Sequence, residues 1–368
     1  MTVSIINYLK INNMSKYRVN GLPWGSGIGK DVSNCHSARE VMKKAGLNFT
    51  VEKCDLVAKM PFSLNGNNKV NEIAGEFARD GHIYRDCPNA FGTYRTDMNL
   101  PLGLVKCKYE VVQNMDAFNF FDDAIGEGKA LWDRAGCFGH GHKIFVSAKL
   151  PIETTVGGDK IDNYLVFSNS HDGSTSVNIL FSPIRVICTN MLNSALHSTD
   201  SYIRFRHTQK VKEKIQRGAE ILKIACEHAK TAEQLYNSLL QIRMTDEQVM
   251  QYIGSLVLSE AERQALHDYN PKYGYARLFA KDYGTMEATK VSARKVGILS
   301  NMFEYYLDGI GQQHIAGTAW GAYNAITGFY SNVANLEGEK RVDSLLWGSA
   351  NNNMLKALNK SLDYAQAV

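Results

Sequence analysis

GHKIFVSAKL, residues 141–150, alternates Ile144, Val146, Ala148 and Leu150 with Lys143, Phe145, Ser147 and Lys149, and period two is the signature of a strand with one face buried and the other wet. NYLVFSN (163–169) and TSVNILF (175–181) follow as two further extended runs. Between them stands His171-Asp172-Gly173-Ser174. Asp-Gly predicts a tight type I′ hairpin, because both central residues of that turn need positive φ. From Ser201 the chain reads SYIRFRHTQKVKEKIQRGAEILKIACEHAK, which sets Arg206, Lys210, Lys214 and Arg217 at helical spacing beside an apolar stripe of Val211, Ile215, Ala219 and Leu222. Residues 136–214 thus read as antiparallel strands running into a cationic helix, a unit suited to a polyanion.

Working outward, Ser37 is placed to cap a short helix that Gly46 ends in the left-handed conformation, and Leu47 to Val57 is extended. Phe91 to Val112 is a second extended region. NMDAFNFFDDAIGEG, from Asn114, reads as a helix with Asp116 near its start. After Thr231 the pattern is helical, with caps at Thr245 and Ser259, a break at Pro271 and a last helix from about Asn351 carrying Leu355, Leu358, Leu362 and Ala365. The expected fold is α+β: a central antiparallel sheet in a helix-strand-strand-strand-helix core, flanking helices and a helical C-terminal region. The expected divisions are a leader over 1–20, a core domain over 21–243 and the helical region over 244–368.

Composition restricts function without choosing it. A chain of 368 residues with 44% hydrophobic residues and 7 prolines is globular, not disordered. Its net charge of +4 is well below the basic balance that alone argues for nucleic acid. Seven cysteines without a CxxC pair fit a reducing compartment, and no apolar run of about 18 residues suggests a membrane span. A cytoplasmic protein is the expectation.

Gly25-Ser-Gly27-Ile-Gly29-Lys30 lacks the spacing and preceding strand of a Walker phosphate loop and reads as a structural loop. Cys137-Phe-Gly-His140-Gly-His142 offers soft and imidazole ligands, which His171, Asp172 and His207 would complete as a metal-dependent hydrolase. No second ligand pair signposts that site, so neither metal nor cofactor is expected. There is no GxSxG elbow and no HExxH, and no catalytic residue is assigned. The cations are the stronger pattern: Lys143, Lys149, Arg185, Arg204, Arg206, Lys210 and Lys214 are the candidate phosphate contacts and Phe145 the candidate ring for stacking a base. NMFEYYLDGIG (301–311) and GTAWGAYNAITGFY (317–330) are aromatic enough to suggest an interface between copies of the chain.

The chain resembles a family of phage and plasmid proteins classed as a domain of unknown function, number 932. The resemblance is carried by Pro23-Trp-Gly, AGLNFTVEK from Ala45, YEVVQN from Tyr109, NSHDGS from Asn169, PIRVICTN from Pro183, Arg206-His-Thr and TAWGAYNAIT from Thr318. It implies a bacterial host cytoplasm and DNA or host-defence business. The order helix, three strands, helix is also similar to the core of single-strand annealing recombinases of the RecT, Redβ and Erf kind. That likeness implies single-stranded DNA as partner, recombination as the process and a ring or filament of identical subunits. A non-catalytic structural or host-interaction assembly is the other alternative to the hydrolase.

Overall fold

The computed structural model describes residues 29–61, 78–79, 82–126, 130–186, 190–191, 202–208, 211, 215 and 218–366. Its strands in chain order are β1 (Lys30–Asp31), β2 (Val51–Pro61), β3 (Ala78–Arg79), β4 (His82–Arg95), β5 (Leu100–Lys106), β6 (Leu131–Phe138), β7 (Lys143–Val156), β8 (Asp159–Ser170), β9 (Val177–Arg185), β10 (Asn190–Met191) and β11 (Tyr202–Phe205). The helices are α1 (Ala38–Ala45), α2 (Asn114–Gly126), α3 (Gly218–Gln241), α4 (Asp246–Val257), α5 (Glu260–Tyr269), α6 (Gly274–Phe279), α7 (Tyr283–Thr289), α8 (Ala293–Asp308), α9 (Ala319–Gly328), α10 (Gly338–Leu346) and α11 (Ser349–Gln366). The larger sheet is antiparallel in the order β1-β6-β7-β8-β9, with β10 and β11 both paired to β9. In the smaller sheet β4 is central, flanked by β2 on one side and by β3 and β5 on the other. This is an α+β fold with a helical C-terminal region.

Local chemistry behaves as read. Ser37 caps α1 and Gly46 closes it at φ 69, while Thr245 and Ser259 each form a full capping box. Three expectations are corrected. The loop after β8 is not a two-residue turn: it runs from His171 to Ser176, and in it Gly173 alone has positive φ. Asp172 instead accepts the Ser174 N–H on its own carboxylate, an Asx turn that holds a longer loop. The two-residue turn lies one hairpin earlier, at Gly157-Gly158, both with positive φ. The segment from Tyr202 to Phe205, read only as the residues before the cationic helix, is itself a strand on β9, with Phe205 opposite Val177.

The third correction concerns burial. Period two in residues 143–150 predicts one wet face, yet Phe145 and Ser147 are as buried as Ile144, Val146 and Ala148. The first face of the sheet packs with α1, α2 and α3 through Val41, Phe118, Phe121, Ala225 and Ala229, joined by Val211 and Ile215 of the expected apolar stripe. The second face carries Phe138, Phe145, Tyr164, Val166, Leu180 and Ile184, and α10 and α11 return to cover it with Val342, Leu345, Leu346, Ala350 and Met354. Phe145 is therefore a core side chain. The aromatic segments near 301–330 are likewise internal: Phe303, Tyr305, Tyr306, Trp320 and Tyr323 are all buried within this chain, so they form no exposed interface. α11 buries Met354, Ala357 and Leu358, leaving Leu355 and Leu362 at the flank.

Phe145→Ala is expected to cost about 3–5 kcal/mol of stability by urea denaturation, the range for deleting a buried ring. Phe145→Leu should cost clearly less. Equal, small losses would mean that the ring is not held between sheet and helices.

Candidate nucleic-acid interface

The two sheets meet at the 171–176 loop. Thr93 on β4 donates its hydroxyl to the His171 carbonyl at 2.6 Å, and Tyr109 donates to the Ser170 carbonyl at 2.6 Å. Between these bonds the backbones touch: a Cβ on Gly103 would run into the Asp172 backbone, where no side chain could give way. Ser170 braces the loop from inside, accepting the Thr175 N–H at 3.0 Å and donating to the Thr175 carbonyl at 2.9 Å.

This junction leaves a groove of about 740 Å³ between β5 and the residues after it, the 173–176 loop, β11 and Trp347. Lys106, Lys108, Arg204 and Arg206 line it, all exposed, and among the described residues its lining holds no carboxylate. A cleft with one sign of charge over low-dielectric walls concentrates field and attracts anions. Its aromatic side is made by Tyr109, stacked on His207 with ring centroids 4.4 Å apart, and by the partly buried Trp347. Burial, with the charge of Asp172 added, pushes the Tyr109 phenol far up, so it stays a neutral donor.

The structure redistributes the residues expected to bind DNA. Arg204 and Arg206 stand on the groove. Lys143 is paired with Asp343 at 2.8 Å and Lys149 with Asp162 at 2.6 Å. Arg185 is fully buried, bonded to Asp159 and, at 2.7 Å, to the Gly311 carbonyl. Phe145 is core, and Lys210 and Lys214 lie outside the described residues. Sequence reasoning missed Lys106, Lys108, Tyr109 and Trp347. The first three had a signal, the dense basic-aromatic run Lys106-Cys-Lys108-Tyr109.

The imidazoles do not assemble as the hydrolase expectation requires. His140 is exposed, and its carbonyl accepts from Arg95 at 2.7 Å. His142 borders a different groove, of about 380 Å³, with Glu339 and Asp343. Among the described residues no three His, Cys, Asp or Glu side chains are grouped to hold a metal ion. His171 is buried, its Nε2 bonded to Asn114 Oδ1 at 2.8 Å. Since the Asn114 amide nitrogen donates to the Leu47 carbonyl, Oδ1 accepts and Nε2 carries the proton. His207 bonds through Nδ1 to the Glu110 carbonyl at 3.0 Å, which puts its proton on Nδ1. Burial, with smaller effects from His207 and Arg95, holds the His171 imidazole down to about 3, and burial lowers His207 as well.

A depressed histidine means that the unfolded chain binds the proton first. Stability supplied by His171 is therefore complete above the ordinary value of 6.5 and is lost as pH falls from there toward about 3. Between pH 7 and pH 5 the wild type should lose about 2 kcal/mol more than His171→Gln, which keeps the donor to Asn114 and cannot titrate. Parallel urea midpoints for the two proteins over that range would show that His171 is not held neutral.

Comparisons with curated proteins and with solved structures returned no match. A family model does match, over residues 101–359, a span that includes every residue lining the groove. That match covers well over half of the chain, which belongs to the family described as Domain of unknown function (DUF932).

Proposed function

We propose that this chain binds single-stranded DNA without sequence preference along the groove between its two sheets, and anneals it in phage or plasmid recombination. One observation carries the reading: four exposed cations face a cleft whose described lining is free of carboxylates and flanked by aromatic rings. Phosphates need the first and unpaired bases use the second, the combination that sequence-tolerant single-strand binders employ. A net charge of +4 is modest for such a protein, but four cations line the groove where the ligand would lie. The phage and plasmid setting is taken from the sequence resemblance. Groove chemistry supports binding, and annealing adds the requirement that two strands meet, which an assembly of identical subunits would provide.

Affinity for a labelled single strand should fall linearly in log-log form with salt, at about −0.7 per phosphate contact. Replacing Lys106, Lys108 and Arg206 together by Ala should flatten that slope by roughly two units. An unaltered slope would move the DNA surface off this groove, and absence of binding at low salt would end the proposal.

Assembly is read separately, by light scattering on the eluting protein with and without single-stranded DNA. Annealing predicts species larger than one chain, at least when DNA is present. A single-chain mass in both conditions would remove annealing and leave binding alone.

A further inference from the structure

We propose that Trp347 is the groove's base-reading residue, held in place by Asp343 and Lys143, so that the groove's ligand is a strand with unpaired, exposed bases rather than any polyphosphate or a closed duplex. This rests on the reading of the groove as a nucleic-acid site and names the part of the ligand that the cations cannot distinguish.

Two of the chain's other tryptophans, Trp132 and Trp320, are buried in its cores, and Trp24 lies outside the described residues. Trp347 is different. It sits at the end of α10, partly buried, and lines the same groove as Lys106. Its ring is oriented by two contacts, one of them braced by an ion pair. The indole Nε1–H donates to Asp343 Oδ1 at 2.8 Å, that same oxygen accepts from Lys143 Nζ at 2.8 Å, and Phe138 packs edge-on with its centroid 6.3 Å away. With its N–H already bonded, the ring has only its apolar surface to offer the groove. A flat apolar surface beside phosphate-binding cations selects a base's π-face, and every base has one. In a duplex those faces are stacked on neighbours and unavailable.

Lys143 thereby has a part in binding without touching phosphate. It neutralises Asp343, which orients the indole, so both are positioning residues. The aromatic pair Tyr109–His207 is committed to itself, face to face, and the Tyr109 hydroxyl is committed to Ser170, which leaves Trp347 as the groove's described ring without a stacked partner.

The test compares binding of oligothymidylate with binding of a strand of equal length that has the same phosphates and no bases, by fluorescence anisotropy. For the wild type the base-bearing strand should bind more tightly by between roughly 5-fold and 150-fold, the worth of a base stacked on an aromatic ring. Trp347→Ala should bring that ratio toward one. Trp347→Phe, which keeps a ring, should retain part of it while abolishing the quenching of tryptophan emission expected when the wild type binds. Asp343→Ala should narrow the ratio and Asp343→Asn, which still accepts the indole N–H, should largely restore it; a purely structural Asp343 would leave the ratio alone. A wild-type ratio near one, or a ratio that survives Trp347→Ala, overturns the assignment while leaving phosphate binding intact. If neither strand binds at low salt, the groove is no nucleic-acid site and the assignment falls with it.

Discussion

Everything that makes the groove depends on the close approach of two backbones at Gly103 and Asp172. Thr93 of the smaller sheet and Tyr109 just after β5 donate to the His171 and Ser170 carbonyls where β8 runs into its loop, and Gly103 allows the chains to come near enough for those bonds to form. A hydrogen bond of this kind contributes on the order of 1 kcal/mol. The geometry contributes more: the loop becomes a fixed wall, with β5 on one side and β11 on the other. Lys106 and Arg206, a hundred residues apart in sequence, then face the same cleft.

A second constraint is that the middle of the larger sheet has no wet face. Once α10 and α11 cover it, any cation on that side must find an anion or leave. Lys143 finds Asp343, Lys149 finds Asp162, and Arg185 finds Asp159. These pairs give three of the expected phosphate contacts a carboxylate partner, with Arg185 fully buried and Lys143 and Lys149 only partly so. They also explain how a strand with Lys143 and Lys149 on one face can be a central strand: each charge is paired with a carboxylate, and the cations that face the groove are on β5, on β11 and in the residues that follow each.

What could be read from sequence was whatever a few neighbouring residues decide. Caps at Ser37, Thr245 and Ser259, the left-handed Gly46, the helix from Asn114 and the β7, β8 and β9 strands all follow from local hydrogen-bonding and period. The candidate site was half legible. Arg204 and Arg206 stood out because a basic run is visible in one dimension. Phe145 was misread because alternation reports which residues share a face, not whether a helix two hundred residues later will cover the other. Trp347 gave no sign at all, since its neighbours Leu346 and Gly348 say nothing about where α10 docks. The Asp-Gly turn was misjudged for a subtler reason: Asp172 satisfied its preference through its own carboxylate, an alternative that the dipeptide permits equally.

The return of α10 to the sheet also sets when the groove is complete. Lys106, Arg206 and Trp347 leave the ribosome in that order, and the last of them arrives on the order of ten seconds after the second at ordinary synthesis rates. Until then the sheet's second face is bare, with Phe145, Tyr164, Val166 and Leu180 open to water. A nascent chain in that state has a charged half-groove beside an apolar surface, a combination that invites non-specific association. Closure by α10 removes both hazards in one event: it hides the apolar face and supplies the last wall of the groove. A complete groove and a covered apolar face are thus reached together, late, and by the same helix.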